Sequence, residues 1–135
     1  MIWVKSSIKY CVYKKNETFQ FRSKVVFSST KHCFYGTMSF MPNGDLIVYT
    51  YNELDEFNLK YTISHDNGIT WENNRCAYFD KKIRNPQLIY YKDRYFIHGR
   101  SGQKGENAGA LVLYSSTDGI NWDKGIYLRL HEEGK

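Results

Sequence analysis

The sequence has few of the features that mark metal-binding, disulfide-linked or membrane-spanning proteins. It contains three cysteines, Cys11, Cys33 and Cys76, and none of them forms a CxxC pair. An odd number of widely spaced cysteines does not predict a disulfide framework, and the isolated His32–Cys33 pair does not predict a zinc site. No apolar run approaches the roughly 20 residues that a membrane-spanning helix needs. We therefore expect no metal, no cofactor and no membrane partner.

The excess of positive charge is small. There are 19 Lys and Arg residues against 14 Asp and Glu residues, which gives a net charge of +5. The basic residues are scattered along the chain, whereas nucleic-acid-binding proteins usually cluster them on one face or in one run. The distribution favours a solvated surface, and we expect no nucleic-acid partner.

Aromatic residues, in contrast, are abundant. They make up 17% of the chain, with 12 Tyr, 8 Phe and 3 Trp residues, while proline occurs only twice. Tyrosine, phenylalanine and tryptophan are enriched in β-strands. The length of 135 residues suits one compact domain. The composition therefore predicts a strand-rich domain.

Two short segments of the sequence repeat each other. Residues 64–71 read SHDNGITW and residues 115–122 read SSTDGINW, with glycine three positions before tryptophan in both. Glycine supplies the positive φ of a tight turn, and aspartate accepts hydrogen bonds from turn amides. A weaker third copy is predicted at residues 14–19. The residues with a predicted structural role in the two clear turns are Ser64, Asp66, Gly68, Trp71, Ser115, Asp118, Gly119 and Trp122.

The segments that precede the two turns repeat as well. Asn43–Gly44 and Lys92–Asp93 each separate two apolar runs, and Asn-Gly is the strongest short hairpin signal. Each unit then reads as four antiparallel strands in about 50 residues, which is the size of a β-propeller blade. We predict an all-β partial propeller of about two and a half blades, with the end of one blade in residues 1–30, a blade in residues 34–80 and a blade in residues 84–130.

A partial ring leaves sheet edges without a partner. Open edges favour pairing with further strands. We therefore expect either the remaining blades of a longer chain or self-association of this one.

The turn at residues 64–71 resembles the Asp box of the sialidase superfamily, whose pattern is Ser-x-Asp-x-Gly-x-Thr-Trp, and the turn at residues 115–122 is similar. The resemblance implies a six-bladed propeller that holds the carboxylate of a terminal sialic acid with three arginines and uses a tyrosine nucleophile. It implies a glycoside hydrolase that acts on terminal, acidic sugars in its full-length form, whereas the isolated chain is expected to be inactive. The alternative is a non-catalytic propeller that binds carbohydrate or protein, because proteins without enzymatic activity also carry Asp boxes.

The loops at the end of the blades opposite the Asp-Gly turns carry the candidate binding residues. Counting outward from a two-residue turn at Lys92–Asp93 places Asn85 opposite Arg100 and Arg84 opposite Ser101. Arginine presents a planar fork suited to bidentate carboxylate binding. Two arginines at one rim therefore predict that Arg84 and Arg100 bind the substrate.

The candidate catalytic residues are carboxylates at the same end. Asp55 belongs to a loop that also contains Glu53 and Glu56, and Glu106 belongs to the loop of residues 102–109. The carboxylate cluster around Asp55 could act as acid or base or could bind a cation, whereas Glu106 is a candidate because the sialidase resemblance implies an acid/base residue in its loop. The side chains predicted to contact the sugar beside the arginines are Tyr51 and His98.

The resemblance leaves two registers open. If Arg84-Asn85-Pro86 corresponds to the Arg-Ile-Pro motif of the sialidases, Arg84 is their first carboxylate-binding arginine and Glu106 stands at the acid/base position. If residues 97–101 instead correspond to the strand with their second arginine, the catalytic glutamate falls near Asn85. Asparagine cannot act as a base, so the second register argues against hydrolysis.

Overall fold

The computed structural model describes residues 6–7, 28–29 and 35–128, which form strands, turns and loops. The strands are β1 (Ser6–Ser7), β2 (Ser28–Ser29), β3 (Gly36–Phe40), β4 (Leu46–Thr50), β5 (Asn58–Ser64), β6 (Arg75–Tyr78), β7 (Arg84–Tyr91), β8 (Arg94–Arg100), β9 (Leu111–Ser116) and β10 (Ile126–Leu128). Within these ranges no helix is long and apolar enough to cross a bilayer.

Eight of the strands form two four-stranded antiparallel sheets, in the orders β3-β4-β5-β6 and β7-β8-β9-β10, and β1 pairs with β2. Each large sheet is a meander that follows the chain order, as a propeller blade does. The predicted all-β class with four-stranded antiparallel blades is therefore confirmed. The predicted end of a blade at residues 1–30 and the weak turn at residues 14–19 lie outside the described residues, apart from the short β1–β2 pair.

The two sheets enclose an aromatic core between them. The buried side chains form one cluster, whose aromatic members are Tyr49, Tyr51, Tyr61, Phe79, Tyr95 and Tyr114. Trp122, from the second sheet's turn, stacks on Phe79 with the ring centroids 5.4 Å apart. The Tyr49 hydroxyl of the first sheet donates a hydrogen bond to the Gly119 carbonyl at 2.6 Å. The turn of one sheet is thus tied to the face of the other.

The first strands of the two sheets also touch. The Leu88 amide of β7 donates to the Thr37 hydroxyl of β3 at 2.9 Å. One end of the paired sheets carries the loops at residues 51–57 and 101–110 and the connection at residues 79–83, and we call it the loop end. The opposite end carries the hairpin turns and both Asp-Gly turns, and we call it the turn end.

The turn between β7 and β8 has the predicted two residues. Lys92 and Asp93 have φ values of 47° and 62°, and Tyr91 pairs with Arg94 across them. Two consecutive left-handed residues are the signature of a type I′ turn, whose twist matches that of the flanking strands.

The first Asp-Gly turn is closed by its own side chains. The Ser64 hydroxyl donates to Asp66 Oδ1 at 2.9 Å and accepts from the Gly68 amide at 2.7 Å. Asp66 also accepts from the Thr70 amide at 2.7 Å and from the Thr70 hydroxyl at 2.6 Å. The turn therefore satisfies its polar groups locally.

The second turn uses a different serine from the predicted one. Ser116, not Ser115, donates to Asp118 Oδ1 and accepts from the Gly119 amide, both at 2.9 Å. Ser115 bonds Asp123 Oδ2 at 2.8 Å instead. Alternation along β9 explains the difference, because Ser116 is buried under the turn and Ser115 lies on the other face of the sheet.

Acidification is expected to destabilise the protein through these two turns. Hydrogen bonds from Thr70 lower the pKa of Asp66 to about 2. Burial raises the pKa of Asp118, but hydrogen bonds from Asn121 and Ile120 outweigh burial and leave it at about 2. The unfolded chain, with an aspartate pKa near ~3.9, takes up protons first as the pH falls. The stabilisation is therefore present above about pH 4 and is lost between about pH 4 and pH 2.

Thermal unfolding of the wild type and of a D66N/D118N double variant between pH 2 and pH 6 checks this prediction. The melting temperature of the double variant should depend less on pH across that interval. Equal acid sensitivity of the two proteins would contradict it.

Candidate functional site

A carboxylate at the loop end is surrounded by a hydroxyl and two cations. Glu56 Oε1 accepts a hydrogen bond from the Tyr51 hydroxyl at 2.8 Å and lies 3.4 Å from Arg84 Nε. Lys82 Nζ lies 3.7 Å from Glu56 Oε2. The Arg84 guanidinium also stacks on Tyr51, with Cζ 5.3 Å from the ring centroid. We call Tyr51, Glu56, Lys82 and Arg84 the Glu56 site.

Both sheets hold the Glu56 site in place. Tyr51 directly follows β4, Glu56 lies just before β5, and Arg84 begins β7. The Ile83 amide donates to the Glu56 carbonyl at 3.1 Å, which links the loop of the first sheet to the start of the second. The site therefore lies where two neighbouring blades meet.

Within the Glu56 site, Tyr51 is a hydrogen-bond donor. Burial and the hydrogen bond to Glu56 raise the pKa of Tyr51 to about 12. The phenol therefore keeps its proton near neutral pH and donates a hydrogen bond to the carboxylate.

Arg84 and Glu56 form an ion pair that is largely shielded from water. Their side chains are 18% and 19% exposed. The Arg84 Nε atom is buried and has no hydrogen bond of normal geometry, so the contact with Glu56 is electrostatic. Charge interactions between shielded groups are screened less than those on an open surface.

A β-bulge sets the position of Arg84. Arg84 pairs with Arg100, and the register shifts between Arg84 and Gln87. The predicted pairing of Asn85 with Arg100 is therefore wrong by one residue. Asn85 has a φ of 51° and is the extra residue that the left-handed conformation accommodates.

The two arginines have different surroundings although they pair across the strands. Arg84 contacts Tyr51 and Glu56 of the neighbouring sheet. Arg100 is exposed and follows the buried Gly99, so strand alternation places it on the outer face of its sheet. Both arginines lie at the same end of the β7–β8 hairpin, and their joint binding of a substrate group stays a prediction.

Metal binding has no visible support at this end. In residues 35–128 and the two short strands, no three His, Cys, Asp or Glu side chains are grouped to hold a metal ion.

The family follows from a match along the whole chain. The model of the glycosyl hydrolases family 32 N-terminal domain matches residues 1–134. The chain belongs to this family. No curated protein matches it.

Membership in family 32 corrects the sialidase resemblance. The family 32 N-terminal domain is a five-bladed propeller of a different superfamily. The sialidase assignment, the ring of six blades and the specific choice of terminal acidic sugars are therefore wrong. The Asp-Gly turn resembles that of the sialidases because its own hydrogen bonds close it. Its presence therefore indicates a local turn and does not indicate how many blades the propeller has. The family confirms a glycoside hydrolase propeller whose substrate class is carbohydrate.

The two predicted catalytic carboxylates of this family 32 chain lie in different loops. Asp55 accepts from the Phe57 amide at 3.1 Å and from Asn58 Nδ2 at 2.7 Å, so both of its oxygens hold the loop that presents Glu56. Glu106 is exposed and, with Leu111 and Leu128, lines a shallow recess of about 790 Å³. Their catalytic roles stay predictions.

The predicted sugar contacts are also divided. The structure brings Tyr51 and Arg84 together around Glu56. His98 is half-buried and pairs with Gln87 and Leu113, on the same outer face as Arg100. Whether His98 and Arg100 touch substrate stays a prediction.

The sequence predicts Asp55 as the catalytic carboxylate among Glu53, Asp55 and Glu56, whereas the structure brings Glu56 and Lys82 to the site. An aspartate often closes a turn by accepting a hydrogen bond from the backbone amide two residues on. This property predicts that Asp55 forms the loop, as it does with the Phe57 amide, while Glu56 faces the site.

Proposed function

We propose that this chain takes part in glycoside hydrolysis and that the Glu56 site contacts the sugar. The proposal is supported by family membership and by one observation, a carboxylate held at the junction of two blades by Tyr51 and Arg84. Glycoside hydrolysis usually needs two carboxylates, one as acid and one as base or nucleophile. Glu56, which accepts a hydrogen bond and faces two cations, suits the second role.

Glu106 is the candidate for the acid. It belongs to the loop of residues 101–110, whose first turn lies against Glu56. Asp55 is better assigned to forming the loop, since its two oxygens are already bonded there.

A neutral sugar is the substrate that this site favours. The charge of Arg84 is offset by Glu56, so this arginine is not free to clamp a sugar carboxylate. The invertase-type character of the family agrees with a neutral glycoside such as sucrose.

The test compares E56Q with E53Q, a control that alters an exposed glutamate of the same loop. We expect E56Q to weaken sucrose binding about tenfold or more, because a hydrogen bond to a charged group is worth about 1.5–3 kcal/mol. Calorimetric titration of the full chain gives the affinity, and glucose release gives the rate. E53Q should behave as the wild type.

The other outcomes are equally clear. Equal sucrose affinity in E56Q and E53Q would remove Glu56 from the site. Binding of sucrose without glucose release is the result expected of two blades without the rest of the ring, and it supports the sugar contact of the Glu56 site alone. Preference for 3′-sialyllactose over sucrose would contradict the choice of a neutral sugar.

A further inference from the structure

The loop of residues 101–110 closes directly beside the Glu56 site. The Ser101 amide donates to the Ala110 carbonyl at 2.8 Å, and the Gly109 amide donates to the Gly102 carbonyl at 3.1 Å. The Ser101 hydroxyl also bonds the Asn107 carbonyl. The base of this loop is therefore fixed by its own hydrogen bonds, and Gly102 is buried within it.

Gly102 lies against the carboxylate and its lysine. A Cβ atom at this position would lie 3.2 Å from Glu56 Oε2 and 2.9 Å from Lys82 Cδ. Both distances are shorter than ordinary van der Waals contacts, which are about 3.5–4.0 Å between carbon atoms. Any side chain at residue 102 would have to displace one or both of these groups.

The backbone does not require glycine at residue 102. Gly105 and Gly109 of the same loop have positive φ values of 101° and 74°, and Gly102 does not. An L-residue therefore fits the backbone conformation of Gly102. What glycine supplies here is space.

We propose that Gly102 is a positioning residue for the Glu56 site, because its missing side chain lets the closed loop lie against Glu56 while the carboxylate stays on Tyr51 and Arg84. Its effect on the sugar rests on the proposed function. Its effect on the Tyr51–Glu56 contact does not.

The experiment titrates Tyr51 by ultraviolet absorbance in the full chain, with Y51F as the reference that identifies its signal. In G102V the branched side chain displaces Glu56, so the Tyr51 hydroxyl loses its partner and the pKa of Tyr51 moves down from about 12. The shift should have the direction that E56Q produces, since E56Q removes the charge that Tyr51 faces. Q103V, which alters the exposed neighbouring residue, should leave the titration unchanged.

G102A provides the second variant in case G102V does not fold. It should shift the Tyr51 titration in the same direction and by less. An unchanged Tyr51 titration in a folded G102A or G102V protein overturns the proposal. A recovered titration in G102A/K82A overturns it too, because the alanine would then act through the lysine stem and not through Glu56.

Sucrose binding separates this inference from the proposed function. A shifted Tyr51 titration together with weaker sucrose binding supports both. A shifted titration with unchanged sucrose affinity supports the positioning role of Gly102 and contradicts the proposed sugar contact.

Discussion

Replacing Phe79 with alanine is expected to lower the free energy of unfolding by about 3–5 kcal/mol, the usual cost of deleting a buried aromatic ring. Phe79 is fully buried and lies between β6 and β7, in the link from one sheet to the other. Its ring stacks on Trp122 at 5.4 Å and meets Tyr114 edge-on at 5.0 Å. Alanine would remove these contacts and leave a cavity between the sheets.

Urea denaturation of F79A and of Y78A measures this effect. Tyr78 precedes Phe79 and is 62% exposed, so its truncation should change the stability by less than about 1 kcal/mol. F79L should lose less than F79A because it fills part of the volume. A loss in F79A no larger than that in Y78A would show that Phe79 does not join the two sheets.

Gly99→Ala is expected to cost about 3 kcal/mol or more, at the upper end of the range for overpacking a dense interior. A Cβ atom at residue 99 would clash with the Arg84 carbonyl oxygen and would lie 2.8 Å from Ile83 Cγ1. The first contact is with backbone, which cannot rotate away as a side chain can. To relieve this clash, β7 and β8 would have to separate at Arg84, a member of the Glu56 site.

Gly102→Ala is the matched control for the stability of Gly99→Ala. It adds the same methyl group to the same end of the sheet, but its closest neighbour is the flexible stem of Lys82. Urea denaturation should show a large loss for G99A and a small one for G102A. Similar losses in both would mean that the β7–β8 pair opens easily at Gly99.

The hairpin turns and the meander order were predictable because both depend on short-range chemistry. Lys92–Asp93 separates two apolar runs by two residues, and such a spacing admits few turn types. The Asp-Gly segments carry their own hydrogen-bond partners, so their turns form wherever the flanking strands allow. The same independence explains why one of them, read alone, suggested the wrong family.

The position of Arg84 was not predictable because it depends on one unusual backbone conformation. Counting from Lys92–Asp93 assumes one residue opposite one residue, and Asn85 breaks that rule with its φ of 51°. Asparagine adopts this conformation more readily than most residues but does so uncommonly. No sequence pattern before Pro86 indicates the register shift between β7 and β8.

The Glu56 site was only partly predictable because its members come from separate segments. The positions of Tyr51 and Arg84 at the loop end predict them as binding residues, but no sequence pattern identifies Glu56 as their common partner. Selecting Glu56 rather than Asp55 requires knowing which carboxylate forms hydrogen bonds within the loop. The contact of Asp55 with Asn58, which the structure shows, identifies it as Asp55.

The bulge at Asn85 has a consequence for engineering. The bulge directs Arg84, the first residue of the β7–β8 hairpin, toward the neighbouring sheet, where it contacts Tyr51 and Glu56. Grafting that hairpin alone onto another scaffold would transplant an arginine without its acceptor. The smallest portable module is a pair of adjacent blades.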